Sequence, residues 1–230
     1  MNILITSGGT SEKIDQVRSI TNHSTGRLGK MIAEHCLASG AYVTLLTTAK
    51  AIKPAPHEKL TIKIIEDTEQ LLTAMEGLVP AHDVLIHSMA VSDYKPVYMA
   101  GFEEVLASSD LAEFLEKSNS ESKISSADDY QVLFLKKNPK IIGKVKEWNP
   151  NIRLIGFKLL VGVSKEDLLA TARASLEKNQ AELIVANDLT EISSRQHHAY
   201  LVGQNTVTKA FSKEEIAEQL LRHIQKGDSS

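Results

Sequence analysis

Asn2-Ile3-Leu4-Ile5-Thr6-Ser7-Gly8-Gly9-Thr10 is a short apolar run that breaks into paired glycines flanked by hydroxyls. It reads as a buried strand that delivers a loop. Across 26–39 the apolar residues Leu28, Ile32, Ala33, Cys36 and Leu37 recur at helical spacing, and Gly40 stops the helix. Tyr42–Thr47, rich in β-branched and aliphatic residues, is the next strand. Pro54 and Pro56 then break the chain.

The rhythm of strand, helix, strand continues outward from this unit. The spacing predicts a strand over 62–65 and a helix over 68–78 with Thr68 as its cap. A buried strand over 84–87 follows, then a helix over 139–148 with Pro139 in its first turn. A strand over 154–157, a helix over 165–179 and a strand over 183–186 complete the series. Repeated alternation predicts an α/β fold, a parallel sheet with helices on both faces. Near the end, 199–202 and 206–208 flank Gly203-Gln204-Asn205 as a β-hairpin, and 213–224 is an amphipathic helix. One stretch, 94–123, is long, polar and weakly periodic, and reads as a flap-like loop over a site. Residues 227–230 read as a frayed tail.

The chain has 230 residues, 42% hydrophobic and 24% charged, which suits one domain with a sizeable core. Its formal net charge of −3 provides no general basic field for nucleic acid, so any anion site must be built locally. Cys36 is the single cysteine, so no intrachain disulfide forms and a reducing, cytoplasmic location is expected. No apolar run reaches the roughly 18–20 residues that cross a bilayer, and no signal peptide or membrane association is expected.

In open α/β sheets, ligands lie beyond the carboxyl ends of the strands. The loop at Gly8, Gly9 and Thr10 offers close backbone approach and hydroxyl donors. Asn22-His23-Ser24-Thr25-Gly26-Arg27-Leu28-Gly29 opens a helix, whose exposed N–H groups favour an anion. Neither loop is a dinucleotide or Walker A fingerprint: Ser24 and Met31 stand where the latter needs glycine and a hydroxyl. His23 reads as a structural hydrogen-bonder. His197-His198 read as surface residues of the hairpin, since no third ligand shows metal-site spacing.

Several separate motifs, in order and spread over nearly the whole chain, resemble phosphopantothenoylcysteine synthetase, also called phosphopantothenate–cysteine ligase. They are Ile5-Thr6-Ser7-Gly8-Gly9-Thr10 with Asp15 and Val17-Arg18, then Ile20-Thr21-Asn22-His23-Ser24-Thr25-Gly26, then Ala90-Val91-Ser92-Asp93-Tyr94. Ser122-Lys123-Ile124, Lys137-Asn138-Pro139-Lys140-Ile141, Gly156-Phe157, Lys178-Asn179 and Val185-Ala186-Asn187-Asp188 complete the set. The resemblance implies a Rossmann-like parallel sheet with a small dimerisation hairpin, and a homodimer. With a strand at the first residues, it implies the unfused form and a separate decarboxylase for the following step.

The implied reaction couples 4'-phosphopantothenate to cysteine through an acyl-nucleotidylate, with CTP, or ATP, as co-substrate and Mg2+ as its ion. The resemblance gives Asn22 the pantothenoyl part and the acyl intermediate, and gives Ser24, Thr25 and Gly26 the substrate phosphate. Ala90 presents main-chain atoms to the substrate. Gly8, Gly9, Thr10, Asp93, Lys137, Asn138, Pro139, Phe157 and Lys178 serve the nucleotide, and Lys123 reaches the reacting group. The metal ligands are left open. Two positions depart from the family pattern. Ala174 stands where bacterial members carry a lysine, with Arg173 beside it on another helix face. Phe157-Lys158-Leu159-Leu160 looks more like the ATP-using eukaryotic form.

Two rival classes share the sheet. A short-chain oxidoreductase needs a Tyr-x-x-x-Lys pair and an acidic residue after the second strand, but Tyr94 and Lys95 are adjacent and Thr47-Thr48 stand there. A non-catalytic nucleotide-binding module needs neither Lys123 nor a second pocket.

Overall fold

The structure is a computed structural model that describes residues 1–119, 124–125, 127–193 and 196–227. Eight strands form the main sheet: β1 (Asn2–Ser7), β4 (Tyr42–Thr47), β5 (Leu60–Ile64), β6 (Val84–His87), β9 (Arg153–Leu160), β10 (Leu183–Asp188), β11 (Ala199–Val202) and β12 (Val207–Ala210). The order across the sheet is β12-β11-β10-β9-β6-β1-β4-β5. All neighbours are parallel except the pairs β10–β11 and β11–β12. The expected Rossmann-like fold is present, and the C-terminal hairpin is an antiparallel extension of the main sheet.

The parity of β1 shows why the sheet is covered twice. Ile3 and Ile5 face the core under helices α1 (Arg27–Ala38) and α6 (Lys213–Gly227), with Ile32, Cys36, Ile216 and Leu220. Leu4 faces the opposite core under α2 (Thr68–Leu78), α4 (Val145–Trp148) and α5 (Lys165–Lys178), with Leu71, Met75, Val145 and Leu168. Cys36 belongs to the first core, and burial pushes its thiol up to about 12, so it is an inert apolar residue.

Some local expectations changed. The cap of α2 is Asp67, whose carboxylate accepts from Gln70 N–H at 2.8 Å. Thr68 is buried instead, and its hydroxyl donates to Glu12 at 2.5 Å. The helix expected over 139–148 is a 3-10 turn, Ile141–Lys144, that runs into the short α4. A short ribbon, β2 (Ser11–Lys13) with β3 (Ser19–Thr21), was not read from the sequence. Of the tail expected over 227–230, Gly227 ends α6 and 228–230 lie outside the described residues.

The stretch expected as a loop from residue 94 begins instead with strand β7 (Tyr94–Gly101), paired antiparallel with β8 (Gln131–Lys137). Pro96 cannot donate to a ladder, and the register shifts between Pro96 and Tyr98. Helix α3 (Phe102–Ala107) and a 3-10 turn, Leu111–Leu115, follow β7. This arm has its own small core, in which buried Phe114 stacks on Tyr98 at 6.0 Å and on Phe134 at 5.0 Å.

At the opposite rim from the loops, Arg153 grips Glu182 through two bonds of 2.8 Å and donates to the Ile224 and His223 carbonyls at the end of α6. The Arg153 guanidinium holds the Glu182 carboxyl down to about 2. A depressed folded value adds stability above the unfolded carboxyl range, near 4.3, and that stability disappears as pH falls towards the folded value. Because the pair is partly solvated, Glu182→Gln is expected to cost roughly 1–2 kcal/mol at pH 7. Urea unfolding of both proteins at pH 7 and pH 3 checks this. The gap should shrink at the lower pH, and an unchanged gap would refute the assignment.

Candidate functional site

Strand order reverses between β1 and β6, so their carboxyl ends open a crevice at a topological switch point. Ser7 and Gly8 leave one side of it, and Ser88, Met89 and Ala90 leave the other. The two loops are stitched together: Ala90 N–H donates to Gly8 O at 2.9 Å and Thr10 N–H to Ala90 O at 3.0 Å. Thr10 Oγ1 accepts from Ser92 N–H at 2.9 Å and donates to Ser92 Oγ at 3.0 Å. Behind it, Asn138 Nδ2 donates to Ser92 O at 3.1 Å, and Asn138 N–H to Asp93 O at 2.8 Å.

Two adjoining cavities open at this rim, of about 600 and 420 Å3, and Met89, Phe157 and Lys158 form walls of both. The larger one holds the start of α1. Gly26, with φ of +75°, turns the loop into the helix in a conformation that L side chains resist. Ser24, Thr25, Gly26, Gly8, Ala90 and Phe157 all line this cavity. Arg27, Lys158 and Lys213 line it too, and no Asp or Glu does among the described residues. The smaller cavity is lined by Asp93, Pro139, Phe157 and Lys178, with Lys140 ion-paired to Asp93. His87 closes its floor, and burial pushes that ring down to about 4, so it is neutral. Its Nδ1 is bonded to Thr6 Oγ1 at 2.8 Å.

The sequence-derived residues therefore divide. Nine of them line the two cavities: Gly8, Ser24, Thr25, Gly26, Ala90 and Phe157 the larger one, and Asp93, Pro139 and Lys178 the smaller one, which Phe157 also borders. Asn22 lines neither cavity. It adjoins the larger one, next to His23 and Ser24, with its N–H on Thr10 O at 3.4 Å. Gly9 lies against the Asn22 backbone. The side chains of Thr10 and Asn138 are spent on the scaffold, so what they do is fix the loops. Lys137 ends β8 as an exposed residue opposite Tyr94 and lines neither cavity. Lys123 lies outside the described residues.

Ala174 lines the smaller cavity, whereas Arg173 turns away and donates to Gln204 O at 3.5 Å. Sequence reading gave no site role to His197, to Lys213 or to Asn187, although Asn187 stands in one of the motifs that carry the resemblance. His197, expected at the surface, is buried against Asn187 and lines the larger cavity, because β11 carries it inward beside β10. No local signal marks Lys213, which looks like any charge at the start of an amphipathic helix.

The chain matches the DNA/pantothenate metabolism flavoprotein C-terminal domain family over residues 1–103 and 100–227. It is 62% identical to the crystal structure of the DNA/pantothenate metabolism flavoprotein from Streptococcus pneumoniae, with a TM-score of 0.95, covering 98% of this chain and 99% of that one. The C-terminal domain of the coenzyme A biosynthesis bifunctional protein CoaBC superposes with a TM-score of 0.74 at 26% identity, covering 99% of this chain and 95% of that one. The coenzyme A biosynthesis bifunctional protein CoaBC of Thermococcus kodakarensis is 34% identical over 228 residues, which is 97% of this chain and 51% of that protein. The chain spans about half the length of the curated relatives it matches. Among the described residues no helix is long and apolar enough to cross a membrane.

Proposed function

Since the chain belongs to the DNA/pantothenate metabolism flavoprotein C-terminal domain family, we propose that it joins cysteine to 4'-phosphopantothenate using a nucleoside triphosphate. A carboxylate oxygen of the acid attacks the α-phosphorus and pyrophosphate leaves, giving an acyl-nucleotidylate. The cysteine amine then attacks the acyl carbon, loses a proton, and expels the nucleoside monophosphate. One observation carries this reading: two adjoining cavities share Phe157, Lys158 and Met89 as a common wall. The larger one, cationic and free of carboxylates among its described lining residues, suits the phosphorylated acid. The smaller one, with Asp93, Lys140 and Lys178, suits the nucleotide. Because the same three residues border both cavities, reactants bound in the two would lie beside one another along them, and holding reactants in line is a large share of catalysis.

Asn22, next to both glycine loops, holds the acyl part in this reading, and Lys123 reaches the reacting phosphate. Asp93 is the one carboxylate among the described residues of the smaller cavity. That fits Mg2+, which takes most of its ligands from phosphate oxygens and water. The ion would supply charge neutralisation on the triphosphate. Lys158, on both walls, is an added phosphate ligand. We favour CTP as the nucleotide, in a homodimer formed in the cytoplasm alongside a separate decarboxylase. Large apolar side chains exposed on the arm support the homodimer: Leu106, Leu111, Leu115 and Tyr130.

Purified protein given phosphopantothenate, cysteine, Mg2+ and CTP or ATP in turn should release pyrophosphate, faster with CTP. No pyrophosphate with either nucleotide would defeat the ligase reading. Lys178→Met should raise the nucleotide KM about tenfold or more, the scale of one charge-assisted phosphate contact, with the acid's KM little changed. Arg173→Ala should leave both constants alone. An equal effect of the two substitutions would misplace the triphosphate.

A further inference from the structure

Helices α1 and α6 pack side by side over one core, to which the first contributes Cys36 and the second Ile216 and Leu220. At the solvent edge of that contact, His35, in the last turn of α1, meets Glu214 and Glu218, in the first two turns of α6. One nitrogen or oxygen from each of the three side chains lies within 4.8 Å of the other two. Among the described residues this is the one set of three metal-binding side chains gathered so closely.

The imidazole is held in one orientation. His35 Nδ1 lies 2.9 Å from the Met31 carbonyl oxygen, one turn back in α1. A carbonyl only accepts, so Nδ1 carries a hydrogen and donates it. Nε2 is left facing the Glu214 carboxylate at 3.0 Å. A lone pair and a carboxylate oxygen repel at that distance, so a proton or a cation belongs between them. Donating one ring N–H to a backbone carbonyl while the other nitrogen faces outward is how metal-binding histidines are oriented.

The carboxylates point the same way, independently. Glu214 and Glu218 stand four apart on α6, so they share a face, and like charges at that spacing repel. The dipole of α6 favours Glu214 in its first turn but fades by Glu218. Arg222 donates to Glu218 Oε2 at 2.9 Å, which leaves the other oxygen of that carboxylate. The one proton that Nε2 can carry balances a single carboxylate, whereas a divalent ion beside a neutral imidazole balances both. Ligands about 2.0–2.2 Å from one ion stand roughly 3–4 Å apart, a spacing that Nε2 and Glu214 already have.

An imidazole with two carboxylates suits a first-row transition ion such as Zn2+ over Mg2+. We propose that His35 Nε2, Glu214 and Glu218 bind such an ion, with water at its remaining positions, and that the ion staples α1 to α6. This site lies outside the two rim cavities and has no part in the ligase reading.

The untagged full chain, stripped with a chelator, is titrated with Zn2+ by calorimetry and unfolded by heat with and without the ion. One ion per chain should bind saturably. The Tm should rise by about 5–10 °C when free Zn2+ is about 100 times Kd, while the same concentration of Mg2+ leaves it unchanged. His35→Gln removes a ligand outright and should weaken binding by at least about 100-fold, and Glu218→Gln by at least about tenfold. His57→Gln, at an exposed histidine elsewhere, should alter neither affinity nor Tm shift. The two glutamates reach solvent, so Glu214→Gln and Glu218→Gln carry the comparison if His35→Gln fails to fold. No saturable Zn2+ binding, or binding as tight in these variants as in the unaltered protein, overturns the site and leaves an imidazolium–carboxylate pair. An equal loss in His57→Gln overturns it too, as capture by surface histidines in general.

Discussion

Gly9→Ala is expected to lower kcat/KM for the acid by at least about 100-fold while the protein stays folded, the scale expected when reacting groups are misplaced by about 1 Å. A Cβ at this position would lie 2.5 Å from the Asn22 carbonyl oxygen and 3.5 Å from Asn22 Cβ. The nearest atom is backbone, so no side chain can swing aside. Relief must come from moving the 22–25 loop or from opening the bridge between Gly9 and Ala90. Either motion shifts Ser24 and Thr25, which line the larger cavity, against the Ala90 side of it. The stability cost should stay near 1–3 kcal/mol, as for other overpacked sites, because the loop lies at the sheet's rim and not between the cores. Pyrophosphate release and near-UV circular dichroism together measure both halves of the expectation. Near-normal turnover would mean that Asn22 and its loop need not be held where they stand.

The second large effect falls on stability and reverses an ordinary rule. Gly29 lies inside α1, where alanine normally gains about 1 kcal/mol over glycine. Here a Cβ would overlap the Ser7 hydroxyl and stand 2.5 Å from Ser7 Cβ, at the end of β1. Helix and strand would have to separate, so Gly29→Ala should destabilise the protein by about 1–3 kcal/mol. For a chain of this size that lowers Tm by several degrees, about 2–4 °C per kcal/mol. Ser7→Gly removes both obstructing atoms, and the double variant should recover most of the loss. Recovery by Ser7→Gly is what distinguishes this contact from a general effect of packing. A Gly29→Ala protein as stable as the original would show that α1 does not need this close approach.

How far the sequence could be read depended on where each residue's partners lie. The parallel strands were legible because burial on both faces leaves a run such as Val84–His87 almost wholly apolar. The helices α1 and α5 were legible because their apolar stripe and their stops are local. Thr68 was misread as a cap because its true partner, Glu12, comes 56 residues earlier in the chain. The arm was misread as a loop because β7 and β8 pair with each other across the sequence, and Pro96 breaks the pattern that would have marked β7. Within the site, glycines and hydroxyls at strand ends announced Gly8, Ser24, Thr25 and Gly26. Thr10 and Asn138 stand in the same motifs, yet their side chains serve the scaffold, a division that sequence spacing does not express.

Alternation of period two and period 3.6 was enough to determine the parallel sheet, its two covers and the rim where ligands must lie, since each of these follows from contacts between near neighbours or from burial alone. Packing in three dimensions decided which charges converge. Arg27 and Lys213 begin helices separated by most of the chain, and His197 enters the cavity only because β11 turns back along β10. Electrostatic energy depends on distance through space, and no local pattern records that distance until the chain has folded.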